Sequence, residues 1–250
     1  MHTSSLLVPR EALELSQTLK EAGYEAYLIG GCVRDLLLNR EPKDWDITTN
    51  ATPEQIQALF KETFYENTYG TVGVVTESLD PKLKVIEVTP YREESGYSNA
   101  RHPDEIRFSD TLSADLKRRD FTVNAIAYDA IGDKLIDEHG GQEDLRRRVI
   151  KAVGDPNERF REDALRTLRA IRIAGELQFA IDTDTAKGIT ANAAQLGKIS
   201  KERIRDELKR ILESDTPLQA LYMAQKMGIL GYIIPELETA VGVADRKAHV

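Results

Sequence analysis

The apolar run Ala26-Tyr27-Leu28-Ile29 passes directly into Gly30-Gly31, and Val33 to Leu38 follows with helical spacing. A short strand, a two-glycine turn and a helix start gather free backbone N–H groups in one place, which suits a phosphate. Ordinary tight turns share this pattern, so its meaning depends on what comes next. Next is Asp44-Trp45-Asp46-Ile47-Thr48, read as a strand from Trp45. On an extended backbone residues two apart share a face, so Asp44 and Asp46 project together while Trp45 points to the core. Paired carboxylates repel unless a cation lies between them, and hard oxygen donors suit Mg²⁺ or Mn²⁺. Glu87 lies inside the apolar run Val85-Ile86-Glu87-Val88. An unpaired carboxylate there is costly, so Glu87 is expected either as a third metal-site carboxylate or in a structural ion pair.

The first part of the chain mixes helix and strand signals. Pro9 to Glu21 reads as a helix stopped at Gly23. Thr52-Pro53-Glu54-Gln55 is a capping box that opens a helix to about Glu62. Val72 to Thr76 and Leu83 to Val88 read as strands. Glu93 to Pro103 is polar and reads as a mobile loop. Leu112 to Lys117 and Thr122 to Tyr128 read as helical, Lys134 to Asp137 as a strand, Gly140-Gly141 as a turn and Val149 to Val153 as a short strand. Gly154-Asp155-Pro156 interrupts the chain, and the pattern from Glu158 onward is helical. The expected architecture is α+β: residues 1–153 form a small mixed sheet with helices, and residues 154–250 form a helical region.

Arg161-Glu162-Asp163-Ala164-Leu165-Arg166 opens that second part, and Phe160, Ala164, Leu168 and Ile171 form an apolar stripe. Read as one helix, the stretch sets the Asp163 acceptor and the Arg166 donor one turn apart. Cytosine and adenine each offer an amino donor beside a ring acceptor. Uracil and guanine present the reverse, and a mismatched buried polar group is rejected strongly. Such a pair would select C and A. The bland alternative is a surface ion pair at helical spacing.

The 250 residues are 41% hydrophobic, enough for one or two domains with a core, and no apolar run is long enough to span a membrane. The N-terminus lacks the basic and apolar regions of a signal peptide. Cys32 is the only cysteine, which excludes an internal disulfide and a cysteine metal cluster and fits a reducing, cytoplasmic setting. Four scattered histidines argue against a His-rich metal site. The net charge of −8 argues against wholesale nucleic-acid coating, although Lys117-Arg118-Arg119 and Arg146-Arg147-Arg148 could form local basic surfaces or solvated helix ends.

Gly30-Gly31-Cys32-Val33-Arg34-Asp35 followed by Asp44-Trp45-Asp46, then Arg118-Arg119-Asp120-Phe121-Thr122-Val123-Asn124, Arg161 to Arg166, and Ile199-Ser200-Lys201-Glu202-Arg203 resemble, in order and spacing, the motifs of the class II tRNA nucleotidyltransferase and poly(A) polymerase family. Within it the resemblance is strongest to the bacterial CCA-adding branch. It implies a polymerase-β-like nucleotidyltransferase head followed by an all-helical neck. It implies that Asp44 and Asp46 bind the catalytic metals, that Glu87 is the third catalytic carboxylate, and that Gly30, Gly31, Arg34, Arg119, Asp120, Asn124, Asp163, Arg166, Arg169 and Arg172 bind the nucleotide. The implied reaction adds C and A from CTP and ATP to the 3′ end of tRNA with loss of pyrophosphate. Arg92 to Phe108 reads as a loop that CC-adding members lack, which disfavours a CC-only enzyme. Addition of A alone, poly(A) synthesis and a non-catalytic RNA- or nucleotide-binding module stay open, and a hydrolase lacks its usual His/Asp cluster. Relatives of this type continue into further helical regions, so a head-and-neck fragment is expected.

Overall fold

A computed structural model describes residues 6–65, 70–95 and 105–242. Among these, one compact unit runs to Arg147 and a second begins at Arg148. The division lies ahead of the Gly154 break because Val149–Ile150 pairs in parallel with Ala180–Ile181 of the second unit.

In the first unit the elements run α1 (Arg10–Glu21), β1 (Tyr27–Ile29), α2 (Gly31–Leu37), β2 (Asp46–Thr49), α3 (Pro53–Leu59), β3 (Thr63–Tyr65), β4 (Val72–Val75), β5 (Val85–Pro90), β6 (Arg92–Ser95), β7 (Glu105–Phe108), α4 (Leu112–Lys117), β8 (Ala127–Asp129), β9 (Lys134–Ile136) and α5 (Gly141–Arg147). Seven strands form one mixed sheet in the order β3-β4-β5-β2-β1-β8-β9. Only β2 and β5 pair in parallel. Leu28, Ile47, Val88 and Val72 stand side by side in register and are fully buried on one face. The capping box of Thr52 and Gln55 starts α3 as expected, and Tyr65 reaches Glu54 from this side of the sheet. On the other face Ile29 and Ala127 pack with Leu116, and Leu112 and Ile136 close around them.

Several elements differ from the sequence expectation. Thr122–Asn124 is a single 3₁₀ turn, and Ala127–Asp129 is a strand, not helix, because it pairs with β1 on one side and β9 on the other. Glu93–Ser95, at the start of the Glu93–Pro103 region, pair with Glu105–Arg107 in the β6–β7 ribbon, whereas 96–104 lies outside the described residues. Strand β3 and helix α5 carry no strong sequence signal.

The second unit contains β10 (Val149–Ile150), α6 (Pro156–Glu162), α7 (Leu165–Leu177), β11 (Ala180–Ile181), α8 (Thr183–Asn192), α9 (Lys201–Leu212), α10 (Pro217–Lys226), α11 (Leu230–Ile233) and α12 (Pro235–Ala240). Asp155 caps α6 by accepting from the N–H groups of Asn157 and Glu158. Phe160, Ala164, Leu168 and Ile171 are fully buried, so the expected apolar stripe is real. The helix beneath it is not continuous. Asp163 is extended (φ −144°, ψ 106°) and separates α6 from α7.

Leu28 sits on a central strand with no exposed surface. Leu28→Ala is expected to cost about 2–5 kcal/mol, read as a lower urea midpoint with an unchanged slope.

Candidate active site

Gly30 ends β1 with φ +79°, a conformation that L side chains rarely adopt. A Cβ there would also lie 3.2 Å from Arg119 Nη1 and 3.6 Å from Asp46 Oδ2. At Gly31 a Cβ would lie 3.6 Å from Arg34 Nη2 and 3.7 Å from Asp44 Oδ1. The two glycines therefore clear a space that two guanidiniums and two carboxylates border.

Asp46 is the first residue of β2 and stands directly opposite Glu87 of β5. Asp44 precedes the strand, and Trp45 between them is buried. Burial pushes the Asp46 carboxyl up to about 7; Asp44 and Glu87 add to the rise, and Arg119 opposes it. A carboxylate crowded in this way is short of positive charge. Among the described residues no three His, Cys, Asp or Glu side chains stand together as a ready-made metal site. Mg²⁺ is commonly held by one or two carboxylates, with substrate phosphates and water filling the other positions. Asp44 and Asp46 fit that pattern.

The cations beside this pair are held from below. Asp115 is completely buried; it accepts from Arg118 Nε at 2.9 Å and from Arg119 Nη2 at 3.1 Å. Burial would raise its carboxyl, but Arg119 and Arg118 outweigh that and leave it below the ordinary value. Arg118 and Arg119 have only 15% and 18% side-chain exposure, so this pair is not the open basic surface that its sequence allows. Arg119 Nε is buried with no hydrogen-bond partner. Arg34 donates to Asp35 and, through Nη1 at 2.9 Å, to Asn124 Oδ1; Asn124 donates in turn to Asp120. The two motifs thus meet through Arg34 and Asn124. Cys32 is sealed in α2 with its thiol directed at the Ile29 carbonyl, and burial pushes it up to about 12.

The second unit holds the remaining candidates. Because α6 ends at Glu162 and α7 begins at Leu165, Asp163 and Arg166 do not share one helix. Asp163 instead stands at the start of α7, where Oδ1 accepts from the Leu165 N–H at 3.1 Å. Arg203 of α9 binds the same carboxylate through Nη2 at 2.7 Å. Arg166 pairs with Glu162 and donates to the Arg159 carbonyl. Arg172 is buried between Glu176 and Glu207. Arg169 lies on the same helix. Asp115, Glu162, Arg203 and Glu207 were not among the sequence candidates. Of these, Asp115 and Glu162 had a local signal, Asp115 three and four residues before its arginines and Glu162 four residues before Arg166.

Residues 26–151 match the family model described as the poly A polymerase head domain, and residues 178–241 match that of the probable RNA and SrmB-binding site of polymerase A. A CCA-adding enzyme of Limosilactobacillus reuteri is 48% identical over 90% of this chain and 54% of its own length. The Bacillus stearothermophilus CCA-adding enzyme in complex with CTP superposes with a TM-score of 0.83 at 41% identity, over 93% of this chain and 56% of that one. A tRNA nucleotidyltransferase with a primer tRNA and an incoming ATP analog matches with a TM-score of 0.73 at 30% identity, over 88% and 62% respectively. The chain spans about half the length of the curated relatives it matches.

Asp115→Ala would leave two partly buried guanidiniums without their shared carboxylate. The expected cost is about 3–5 kcal/mol by chemical denaturation at pH 7. Because the folded-state value of Asp115 is depressed, the wild-type advantage should be complete above the ordinary carboxylate range and fade as the pH falls through the folded value.

Proposed function

Because the chain belongs to the poly A polymerase head-domain family, we propose that it transfers nucleotides from CTP and ATP to the 3′ end of tRNA, two C and then A. The observation that carries this reading is the Asp44/Asp46 pair beside the Gly30-Gly31 turn, with Arg34 and Arg119 around the cleared space. The names of the relatives and the CTP complex support the choice of substrates. In the reaction the 3′-hydroxyl oxygen attacks the α-phosphorus, a phosphodiester bond forms and pyrophosphate leaves.

Mg²⁺ or Mn²⁺ held by Asp44 and Asp46 would lower the pKa of the attacking hydroxyl and neutralise charge on the leaving pyrophosphate. Arg119 Nη1, which borders the space at Gly30, and the planar fork of Arg34 suit phosphate oxygens. Asp120 and Asn124 hold Arg34 in place. Glu87, on the same face as Asp46, is assigned to the attacking hydroxyl. In the second unit, Asp163 would accept from the amino group of C or A, and Arg166 would donate to the adjacent ring atom. Loss of matched buried hydrogen bonds then rejects U and G. Arg203 and Glu162 fix these two side chains in advance. Arg169 and Arg172 are assigned to the same nucleotide, Arg172 acting from its anchor on Glu176 and Glu207.

The test is incorporation into tRNA lacking its 3′ terminus, with each triphosphate singly and together. Wild type should add C, C and A. Asp46→Ala should add nothing, and Asp163→Ala should lose the preference for C and A over U and G. Addition of A alone would move the reading to an A-adding or poly(A) enzyme, and equal use of all four triphosphates would overturn the base-choice argument.

A raised carboxyl holds a proton that a bound cation must expel. Titration with Mg²⁺ alone at pH 6.5 should therefore release protons, seen as a calorimetric heat that depends on the buffer. Apparent affinity should rise with pH up to about 7 and level off above it. Asp46→Asn should abolish the buffer dependence.

A further inference from the structure

We infer that Phe64 is a stacking platform for the terminal base of the RNA acceptor. The inference rests on the nucleotidyl-transfer reading and says where its second substrate lies. Phe64 pairs with Gly73, Gly73 with Glu87, and Glu87 with Asp46. Residues directly opposed in a sheet project from the same face, with strands about 4.8 Å apart. Phe64 therefore shares the face of the carboxylates, two strands (~10 Å) from Glu87 and three (~14 Å) from Asp46.

Gly73 is what brings the ring closer. A Cβ at position 73 would lie 2.6 Å from Phe64 Cζ and 2.9 Å from both Cε atoms. The tip of the ring fills the place of the missing side chain, so the ring extends from the edge strand toward Glu87. Phe64 is nonetheless 41% exposed. The next aromatic, Tyr65, points to the opposite face and meets Glu54. Only Phe64 therefore offers an aromatic surface from β3 to the functional face.

Stacking on an aromatic ring is indifferent to base identity because every base has a π-face. That property suits an acceptor whose last base changes after each addition. It does not suit the incoming nucleotide, whose base must be discriminated and is assigned to Asp163 and Arg166. With the ring on the far side of Glu87 from Asp46, an acceptor stacked on it would approach the carboxylates by way of Glu87.

The test uses a short acceptor RNA with 2-aminopurine as its 3′-terminal base, whose fluorescence falls on stacking. Wild type and Phe64→Tyr should quench it. Phe64→Leu, which keeps apolar bulk without a π-face, should not. Phe64→Leu should also raise the KM for the acceptor about tenfold and leave the KM for CTP unchanged. A melting curve like that of wild type would show that the fold is kept. Equal quenching and equal acceptor KM in wild type and Phe64→Leu would overturn the inference. So would incorporation of CTP by wild type with no quenching, which leaves the transfer reading intact. Quenching that needs Phe64, with no incorporation, would support the platform and reject the transfer reading instead.

Discussion

Parallel pairing of β2 with β5 sets Asp46 directly opposite Glu87, and Asp44 adds a third carboxylate close by. Like charges crowded at a partly buried strand end are unfavourable unless something answers them. The answer is layered. Arg119 faces Asp46, and Asp115 beneath the sheet face holds Arg119 and Arg118. Thr48, two residues along β2 from Asp46, shares a hydrogen bond with that same Asp115 carboxylate. Negative and positive groups thus alternate from the open face into the core, and each buried charge meets an opposite one. At Asp46 the crowding and burial outweigh Arg119 and leave the carboxyl raised, which a divalent cation or a proton can relieve.

In the second unit the Asp163 carboxylate and the Arg166 guanidinium each take a different partner. The Asp163 carboxylate is claimed by Arg203 and by the Leu165 N–H, whereas Arg166 is claimed by Glu162. The break between α6 and α7 makes this possible. Had the helix run on, Asp163 and Arg166 would face each other at i, i+3 spacing and pair directly. The extended backbone at Asp163 turns the acid into a cap and frees the arginine for another partner.

The glycine turn, the Asp44/Asp46 pair, the Thr52 capping box and the Phe160–Ile171 stripe were all legible in the sequence, because each is a short-range pattern carried by neighbouring residues. Strand β8 was not. Ala127-Tyr128-Asp129 looks like the continuation of a helix and becomes a strand only through Ile29 and Ile136, far away in sequence. The three residues of β3 are too few to show a period. The partner of Asp163 lies 40 residues on, and no local rule connects them. The expectation that fell, a single helix through Asp163 and Arg166, failed because good helix spacing on both sides hides a one-residue interruption whose cause is tertiary.

Cys32 has a practical consequence. It is the only thiol in the sequence, it is fully buried, and its raised pKa keeps it almost wholly un-ionised near neutral pH. A maleimide or disulfide probe would therefore find nothing to react with on the native surface. A new cysteine at a fully exposed position such as Leu79 would carry a dye or spin label alone. The unmodified background is already silent, so a pair of such cysteines would report distances without first deleting a residue that packs beside the carboxylates.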